Sequence, residues 1–265
     1  MKLVSFDGGF GRLENDSVVP MGSDLLAHLE SGEVSESEPR ASASVKLLAP
    51  IPRPHKIVCI GLNYKDHSAE QGVDIPEEPI LFAKFPNSIV GPDGPIEVPP
   101  AAAAKVDYEA ELGVVIGARV REVAADDALS YVAGYMCMND VSARDLQFAS
   151  SQWMRGKAVD SFLPCGPYLA TVDEITDPQT LGIRCLIGNE VMQDSNTSEM
   201  VFSVRELIAF TSQTMTLEPG DLIATGTPAG VGTFRNPPRY LKAGEEVSVE
   251  IDGLGRLTNR VVDRS

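Results

Sequence analysis

Short runs of apolar, mostly β-branched residues recur along the chain from residue 56 onward, and glycine or proline separates most of them. Runs of this length that are rich in Val and Ile predict β-strands. The best helical patterns lie at 66–71, 141–153 and 201–215. Many strands with few helices between them favour a mixed sheet closed into a roll or barrel over a doubly wound α/β fold. We therefore predict a mixed α/β, mainly β fold, with strands at 56–60, 109–116, 131–139, 167–171, 184–187, 221–224 and 246–251.

The first 50 residues have a different pattern. Residues 3–6 and 18–19 suit two short strands, and residues 23–29 are typical of a short helix capped by Ser23. The stretch 31–44 is polar, acidic and rich in Ser, which indicates a loop or linker. We expect a small β-rich N-terminal domain at 1–50 and a catalytic domain at 51–265.

The excess of acidic residues makes some classes of binding partner unfavourable. The 265 residues include 38 acidic and 22 basic side chains, for a formal net charge of −16. A surface of this sign repels phosphate backbones and anionic lipids, so it argues against nucleic-acid and membrane partners. A small anionic substrate is still compatible with it, because a metal ion and a few local cations can dominate the field inside a pocket. The acidity can equally serve solubility alone.

The cysteines and the N-terminal residues favour a reducing compartment of the cell. None of the four cysteines forms a Cys-x-x-Cys pair, and three of them lie in apolar runs, as buried thiols in a reducing compartment do. The chain reaches Asp7 and Gly8 too early for a secretory signal peptide, and no apolar run has the 18 residues that a membrane span requires. We predict a cytoplasmic protein.

Acidic residues alternate at the start of one predicted strand. Asp107, Glu109 and Glu111 precede an apolar run that is typical of a buried strand. Side chains two apart in a strand share a face, and carboxylates on one face repel each other unless a hard divalent cation neutralises them. The alternative is an exposed strand end with solvated charges.

A further acid follows another buried run. Asp140 comes after the strand predicted at 131–139, and a helix at 141–153 would place Asp140, Arg144 and Gln147 on one stripe. A carboxylate, a guanidinium and an amide on one stripe suit an oxygen-rich anionic ligand. The alternative is an N-cap Asp with an exposed ion pair. An all-carboxylate ligand set selects Mg²⁺, Mn²⁺ or Ca²⁺ over zinc.

Other polar residues are candidates for chemistry. His67 and Glu70 are three apart in the segment predicted as a helix, so the carboxylate can fix the imidazole tautomer for a general base. Most pairs at this spacing are ordinary surface contacts. Lys157 could contact a substrate oxygen or be exposed. The small residues of 225–232 let backbone amides approach an anion, or form a turn at a barrel corner.

In this order, the segments resemble the fumarylacetoacetate hydrolase family over residues 55 to 262. The stretches that carry the resemblance are Gly-Leu-Asn-Tyr at 61–64 with His67 and Glu70, Asp-Tyr-Glu-Ala-Glu-Leu at 107–112, Asn-Asp-Val-Ser-Ala-Arg-Asp-Leu-Gln at 139–147, Gly-Lys at 156–157 and Gly-Thr-Pro-Ala-Gly-Val-Gly at 226–232. The segments 193–200 and 244–247 also match.

The resemblance implies a β-roll catalytic domain, usually dimeric, with Mg²⁺ or Mn²⁺ on Glu109, Glu111 and Asp140, while Ca²⁺ is also compatible with such ligands. It implies that His67 and Glu70 activate a water molecule. It also implies that Arg144, Gln147, Lys157 and Thr227 bind substrate or stabilise developing negative charge, and that Lys157 is catalytic.

Two reactions follow from the resemblance. The leading hypothesis is metal-dependent hydrolysis of a C–C bond in an acylpyruvate-like 2-oxo acid. The alternative is an oxaloacetate decarboxylase, or a tautomerase or decarboxylase of the 2-hydroxyhepta-2,4-diene-1,7-dioate isomerase type. A non-catalytic binding protein predicts a degraded site, and the expected polar residues are present. A Mg²⁺-dependent phosphoryl-transfer enzyme would need a phosphate-binding Lys-Ser/Thr motif, which the sequence lacks.

Overall fold

The apolar runs form strands, as their composition predicts. In the computed structural model, which describes residues 1–102 and 104–264, each predicted strand from residue 56 onward corresponds to an observed strand. The strands are β1 (Lys2–Phe6), β2 (Gly9–Glu14), β3 (Ser17–Gly22), β4 (Arg40–Ala41), β5 (Leu47–Leu48), β6 (Ile57–Gly61), β7 (Ile80–Lys84), β8 (Ile89–Val90), β9 (Pro95–Val98), β10 (Val106–Asp107), β11 (Ala110–Ile116), β12 (Val132–Asn139), β13 (Ser142–Ala143), β14 (Leu163–Thr171), β15 (Gly182–Ile187), β16 (Glu190–Asn196), β17 (Leu222–Ala224), β18 (Glu246–Ile251) and β19 (Gly255–Asp263).

Helices are short and few by comparison. The α-helices are α1 (Leu25–Ser31), α2 (Lys65–Gln71), α3 (Arg144–Gln147), α4 (Met154–Lys157) and α5 (Val204–Thr214), and 3₁₀ turns lie at Ser42–Ser44, Pro86–Ser88, Pro100–Ala102, Ala128–Tyr131, Thr197–Glu199 and Gly232–Phe234. None of the helices in the described part of the chain is long and apolar enough to cross a membrane. The mixed α/β, mainly β fold class is confirmed.

A 12-stranded mixed sheet forms the centre of the fold, with the strand order β4-β3-β2-β1-β14-β12-β11-β17-β6-β7 and with β5 and β8 attached at its side. The central strand β11 is buried at every residue. Its side chains alternate between two apolar clusters: Val114 belongs to one and Val115 to the other. A strand covered on both faces explains the continuous apolar run of its sequence.

The second sheet has five strands in the order β16-β15-β18-β19-β9. Its apolar residues, among them Ile183, Val249 and Leu257, share one buried cluster with Leu112 and Val114 of β11. The two sheets therefore enclose a common core.

Strand register decides where the acidic residues meet. In the antiparallel β11–β12 pair, Ala110 lies opposite Asn139, so the start of β11 adjoins the end of β12. Strand β17 pairs with β11 through Ala224 and Gly113, and β6 pairs in parallel with β17. The residues before β11 and those after β12, β17 and β6 consequently gather at one edge of the sheet.

The N-terminal residues join this same sheet. Strand β1 pairs antiparallel with β14, so β1, β2 and β3 extend the large sheet at one side. The N-cap of α1 is Asp24, whose carboxylate accepts from the backbone N–H of Leu26 at 2.9 Å, and the prediction of Ser23 is wrong by one residue. The division into domains at 1–50 and 51–265 stays a prediction.

The helix expected at 141–153 does not form as one element. Ser142 and Ala143 instead pair with β10 as strand β13, and α3 covers only Arg144–Gln147. Helix α4 then packs against α3 at Gly156, where a Cβ would lie 2.6 Å from the backbone nitrogen of Gln147. Backbone pairing with β10 is a tertiary contact that the helical pattern does not reveal. Similarly, α5 begins at Val204 rather than 201, because Ser203 and Glu206 form a capping box.

Candidate metal centre and active site

Three buried carboxylates converge at the edge of the large sheet. Glu109 lies directly before β11, Glu111 is its second residue, and Asp140 follows β12. One oxygen from each carboxylate can be chosen so that all three lie within 4.8 Å of one another. The predicted set Glu109, Glu111 and Asp140 therefore meets in space, as a shared cation requires.

The backbone holds these carboxylates in place. The amide of Glu109 donates to Oδ1 of Asn139 at 3.0 Å, and the amide of Asp140 donates to the carbonyl oxygen of Glu109 at 2.9 Å. Oε2 of Glu111 accepts from the amide of Gly226 at 2.9 Å. The cluster is thus tied to the ends of β11, β12 and β17, whose register is fixed by the sheet.

A lysine ammonium bridges two of the three carboxylates. Nζ of Lys157 lies 2.6 Å from Oε2 of Glu109 and 2.7 Å from Oδ2 of Asp140. Lys84 reaches Asp140 from another direction, with its Nζ 2.5 Å from Oδ1. Buried carboxylates repel each other without a cation, and here ammonium groups supply the positive charge. The donor set is all oxygen and fits a hard divalent cation.

Arg144 and Gln147 lie beside the carboxylates on α3. Nη1 of Arg144 donates to Oε1 of Gln147 at 2.9 Å, and Nε donates to Oδ2 of Asp107 at 2.9 Å. Nη2 lies 2.7 Å from Oε1 of Glu109, but outside hydrogen-bond alignment, so this contact is an ion pair. The predicted proximity of Asp140, Arg144 and Gln147 arises from a strand and a short helix rather than from one helical stripe.

Asp107, two residues before Glu109, lies outside the group of three carboxylates that converge. Its carboxylate accepts four hydrogen bonds: from the amides of Tyr108, Gly232 and Thr233, at 2.7 to 2.9 Å, and from Nε of Arg144. Asp107 therefore connects Arg144 to the loop after β17.

The surroundings shift the pKa values of Glu109 and Glu111 in opposite directions. Burial alone would raise the pKa of Glu109, but Lys157 and Arg144 lower it to about 2. Burial raises the pKa of Glu111 well above its usual range, and the charges of Asp140 and Glu109 raise it further. Burial favours the neutral form of Lys157, yet Asp140 and Glu109 outweigh it and raise the pKa of the ammonium. In the metal-free cluster the charged form is thus favoured at Glu109 and disfavoured at Glu111.

His67 and Glu70 make the contact that their spacing predicts. Nδ1 of His67 lies 3.0 Å from Oε2 of Glu70, and Nε2 lies 2.7 Å from Nε2 of Gln71. The amide contact identifies Nε2 as the acceptor and Nδ1 as the protonated nitrogen. The second oxygen of Glu70 accepts from the amide of Gly230 at 2.9 Å, which joins α2 to the loop after β17.

The loop after β17 brings Thr227 to the same place. Oγ1 of Thr227 accepts from Nε2 of Gln193 at 2.8 Å, and Oε1 of Gln193 accepts from the amide of Ala110. Gly226 has a φ of +96°, and a Cβ there would lie 2.8 Å from Cβ of Asn63. The turn therefore requires glycine at this position.

Seven of the candidate residues line one cavity of about 80 Å³, whereas Glu70 and Asp140 contact the lining residues from outside it. Its lining combines polar side chains with apolar ones. Trp153, the single tryptophan of the chain, is among the apolar lining residues. The lining includes the candidates His67, Glu109, Glu111, Arg144, Gln147, Lys157 and Thr227, together with Ile60, Leu62, Phe82, Phe148 and Phe234.

Sequence reasoning missed three residues that shape the site. Lys84, Asn139 and Gln193 are buried and donate or accept across strands that are far apart in sequence. Lys84 could have been found from the sequence, because a lysine at the end of an apolar strand indicates a charge near the buried end of that strand. Asn139 and Gln193 lie in family-like stretches, but their partners follow only from the folded backbone.

Comparisons with known proteins identify the family of the chain. A family model described as "Fumarylacetoacetate (FAA) hydrolase C-terminal" matches residues 56–262, and the chain belongs to this family. It is similar to the Xenopus laevis protein named "Oxaloacetate tautomerase fahd2, mitochondrial", with 49% identity over 244 residues that cover 91% of this chain and 76% of the relative. The human protein named "Oxaloacetate tautomerase FAHD2A, mitochondrial" is 48% identical over 250 residues, covering 90% and 79%.

Solved structures show the same fold. A fumarylacetoacetate hydrolase from Exiguobacterium antarcticum is 37% identical, with a TM-score of 0.88 and complete coverage of both chains. A 2-hydroxyhepta-2,4-diene-1,7-dioate isomerase from Mycobacterium marinum is 36% identical, with a TM-score of 0.84 over 100% of this chain and 99% of that one. The chain is thus an enzyme of this family. Both curated relatives carry "mitochondrial" in their names, and the cytoplasmic location stays a prediction.

Proposed function

We propose that this chain is a divalent-cation-dependent tautomerase of oxaloacetate or a closely related 2-oxo diacid. The observation that carries the proposal is a cavity lined by Glu109, Glu111 and the imidazole of His67, where Asp140 completes a triad of buried carboxylates. Relatives named oxaloacetate tautomerase, at 46 to 49% identity, support this choice among the reactions of the family.

Keto–enol interconversion moves one proton between C3 and the oxygen at C2 of the 2-oxo acid. It requires a base that takes the carbon-bound proton and positively charged groups that stabilise the enolate. Mg²⁺ or Mn²⁺ on Glu109, Glu111 and Asp140 would supply Lewis acidity at the 2-oxo end of the substrate. Ca²⁺ also accepts an all-oxygen ligand set.

His67 is the proposed proton acceptor. With its proton on Nδ1 and Glu70 as the partner, the lone pair of Nε2 is free for a substrate proton once the amide of Gln71 moves aside. The carboxylate of Glu70 stabilises the imidazolium that forms. Because Glu70 is held by Gly230, the base has a fixed orientation.

Arg144, Gln147, Lys157 and Thr227 are the proposed substrate-binding groups. They line the cavity beside the carboxylates and offer two cations, an amide and a hydroxyl. A divalent cation held by Glu109, Glu111 and Asp140 would compete with the ammonium of Lys157 for these carboxylates and would free it to bind substrate oxygen. Lys157 can then stabilise the enolate or return a proton to it.

Hydrolysis of an acylpyruvate is the second candidate, and the His67–Glu70 contact favours it. The same lone pair on Nε2 can take a proton from water, which then attacks a carbonyl carbon. Decarboxylation of oxaloacetate also passes through an enolate, so the same groups serve it. The homodimeric state stays a prediction.

A side-by-side assay with Mg²⁺ and Mn²⁺ tests the proposal. Loss of the ultraviolet absorbance of enol-oxaloacetate reports tautomerisation, a coupled dehydrogenase reports pyruvate release, and acetylpyruvate cleavage reports hydrolysis. The proposal expects metal-dependent tautomerisation to be the fastest of the three. Rapid acetylpyruvate cleavage without tautomerisation would select the hydrolase.

A further inference from the structure

Lys84 is a buried cation that the proposed chemistry does not use. It is the last residue of β7, and its side chain is fully buried. Its Nζ lies 2.5 Å from Oδ1 of Asp140 and 3.0 Å from the carbonyl oxygen of Val141. Lys84 does not line the cavity, so it stands behind Asp140 and acts on a bound ligand only through its charge.

A charge at this position is costly and is not needed to satisfy Asp140. Burying an ammonium removes it from water, which is strongly unfavourable before any partner is counted. The other oxygen of Asp140 already accepts from Lys157 at 2.7 Å. A neutral amide donor could satisfy Oδ1 of Asp140 equally well. The positive charge of Lys84 therefore calls for a reason beyond the hydrogen bond.

The net charge of the site gives a reason for a positive charge at Lys84. Four buried carboxylates and three buried cations form the linked cluster, namely Asp107, Glu109, Glu111 and Asp140 with Lys84, Arg144 and Lys157. With all carboxylates ionised and a divalent cation bound, the cluster carries one net positive charge. Without Lys84 the same loaded cluster would be neutral.

We infer that Lys84 is the fixed counter-charge that keeps the cation-loaded site positive, so that it retains an anionic 2-oxo acid. This inference rests on the proposed function, in which the substrate is such an anion. Lys84 is accordingly a positioning residue and not a catalytic one. Its effect falls on the affinity for an anion and not on the ability of the triad to bind a cation.

Two substitutions separate the charge from the hydrogen bond. Lys84→Gln keeps a donor for Asp140 and removes the charge, whereas Lys84→Arg keeps the charge. Lys56→Gln is the matched control, because Nζ of Lys56 also pairs with a fully buried carboxylate, Asp221, at 2.7 Å, outside the linked cluster. If Lys84→Gln does not fold, Lys84→Met replaces it as the charge-free variant that keeps the aliphatic stem.

The measurement is titration calorimetry with Mg²⁺, followed by oxalate at saturating Mg²⁺. The fluorescence of Trp153, which lines the cavity, is a second readout. In the charge-free variant we expect the affinity for Mg²⁺ to equal or exceed that of the wild type, because the positive charge of Lys84 repels the cation. We expect the affinity for oxalate to be about tenfold lower, because the same charge attracts the anion. Lys84→Arg and Lys56→Gln are expected to bind both ligands as the wild type does.

Unchanged oxalate affinity in the charge-free variant would overturn the inference. So would loss of Mg²⁺ binding in that variant, since Lys84 would then only shape the metal site. A wild-type protein that binds neither Mg²⁺ nor oxalate would instead contradict the proposed function itself.

Discussion

The ammonium nitrogen of Lys157 lies 2.6 Å from Oε2 of Glu109, inside the carboxylate cluster proposed to hold a divalent cation. The same nitrogen lies 2.7 Å from Oδ2 of Asp140. Lys157 thus neutralises two of the three proposed ligands when no metal ion is bound. A cation that takes these oxygens has to displace the ammonium, and this competition is measurable.

Lys157→Met is expected to strengthen Mg²⁺ binding and to weaken turnover. Removal of a like charge a few ångströms from the metal position should lower the Mg²⁺ Kd by about 100-fold or more, because two unit charges about 4 Å apart repel by about 4 kcal/mol at an effective dielectric constant of about 20. Tautomerisation should fall by about 100-fold, because the enolate loses a charged partner. Calorimetry and the enol assay test both effects, with Lys65→Met on the exposed side of α2 as the control. A weaker Mg²⁺ affinity in Lys157→Met would contradict the competition.

Metal binding should release a proton at pH values above the usual range of a glutamate. Burial, followed by Asp140 and Glu109, raises the pKa of Glu111, so the metal-free protein holds a proton there above the usual range of a glutamate. A divalent cation favours the carboxylate and expels that proton, so affinity rises with pH until Glu111 is ionised in the free protein. Calorimetry in buffers of different ionisation heat should give a proton release approaching one per cation. No dependence on the buffer would show that Glu111 is already ionised.

His67→Gln should separate catalysis from metal binding. Loss of the proposed base should lower kcat by about 100-fold or more, while Mg²⁺ affinity stays at the wild-type value, since His67 is outside the triad. Glu70→Gln keeps an oxygen that can accept from Nδ1, so a smaller loss of about tenfold is expected. Wild-type kcat in His67→Gln would remove the imidazole from the mechanism.

Asp107→Asn should destabilise the fold and misplace Arg144. Four donors point at this buried carboxylate, and breaking a buried ion pair costs about 3 kcal/mol or more in the free energy of unfolding. Urea denaturation measures the loss. The control is Glu218→Gln, which breaks the exposed pair with Arg119 and should cost no more than about 1 kcal/mol. Equal stability of the two variants would disprove a structural role for Asp107.

The strand pattern was predictable from the sequence because it depends on short-range order, and the three acids were candidates because they flank apolar runs, although their convergence depends on the β11–β12 register. Glu109 and Glu111 are two apart in a buried strand and must share a face, and Asp140 ends the next apolar run. The helix at 141–153 was wrong because Ser142 and Ala143 pair with β10, a contact that no local pattern encodes.

Other features of the site depend on distant partners. Asp107 has the spacing of a third ligand, yet amides more than 100 residues away, at Gly232 and Thr233, engage its carboxylate. Lys84 acquires its position through Asp140, which is 56 residues further along the chain. Such roles become visible only when strand order and register are known.

Anomalous diffraction from a crystal grown with Mn²⁺ tests the triad most directly. The account predicts one strong peak at coordination distance, about 2.0 to 2.3 Å, from oxygens of Glu109, Glu111 and Asp140, with Nζ of Lys157 moved away from Glu109. A crystal saturated with Mn²⁺ that shows no peak between these carboxylates, with Lys157 still bridging Glu109 and Asp140, would contradict it.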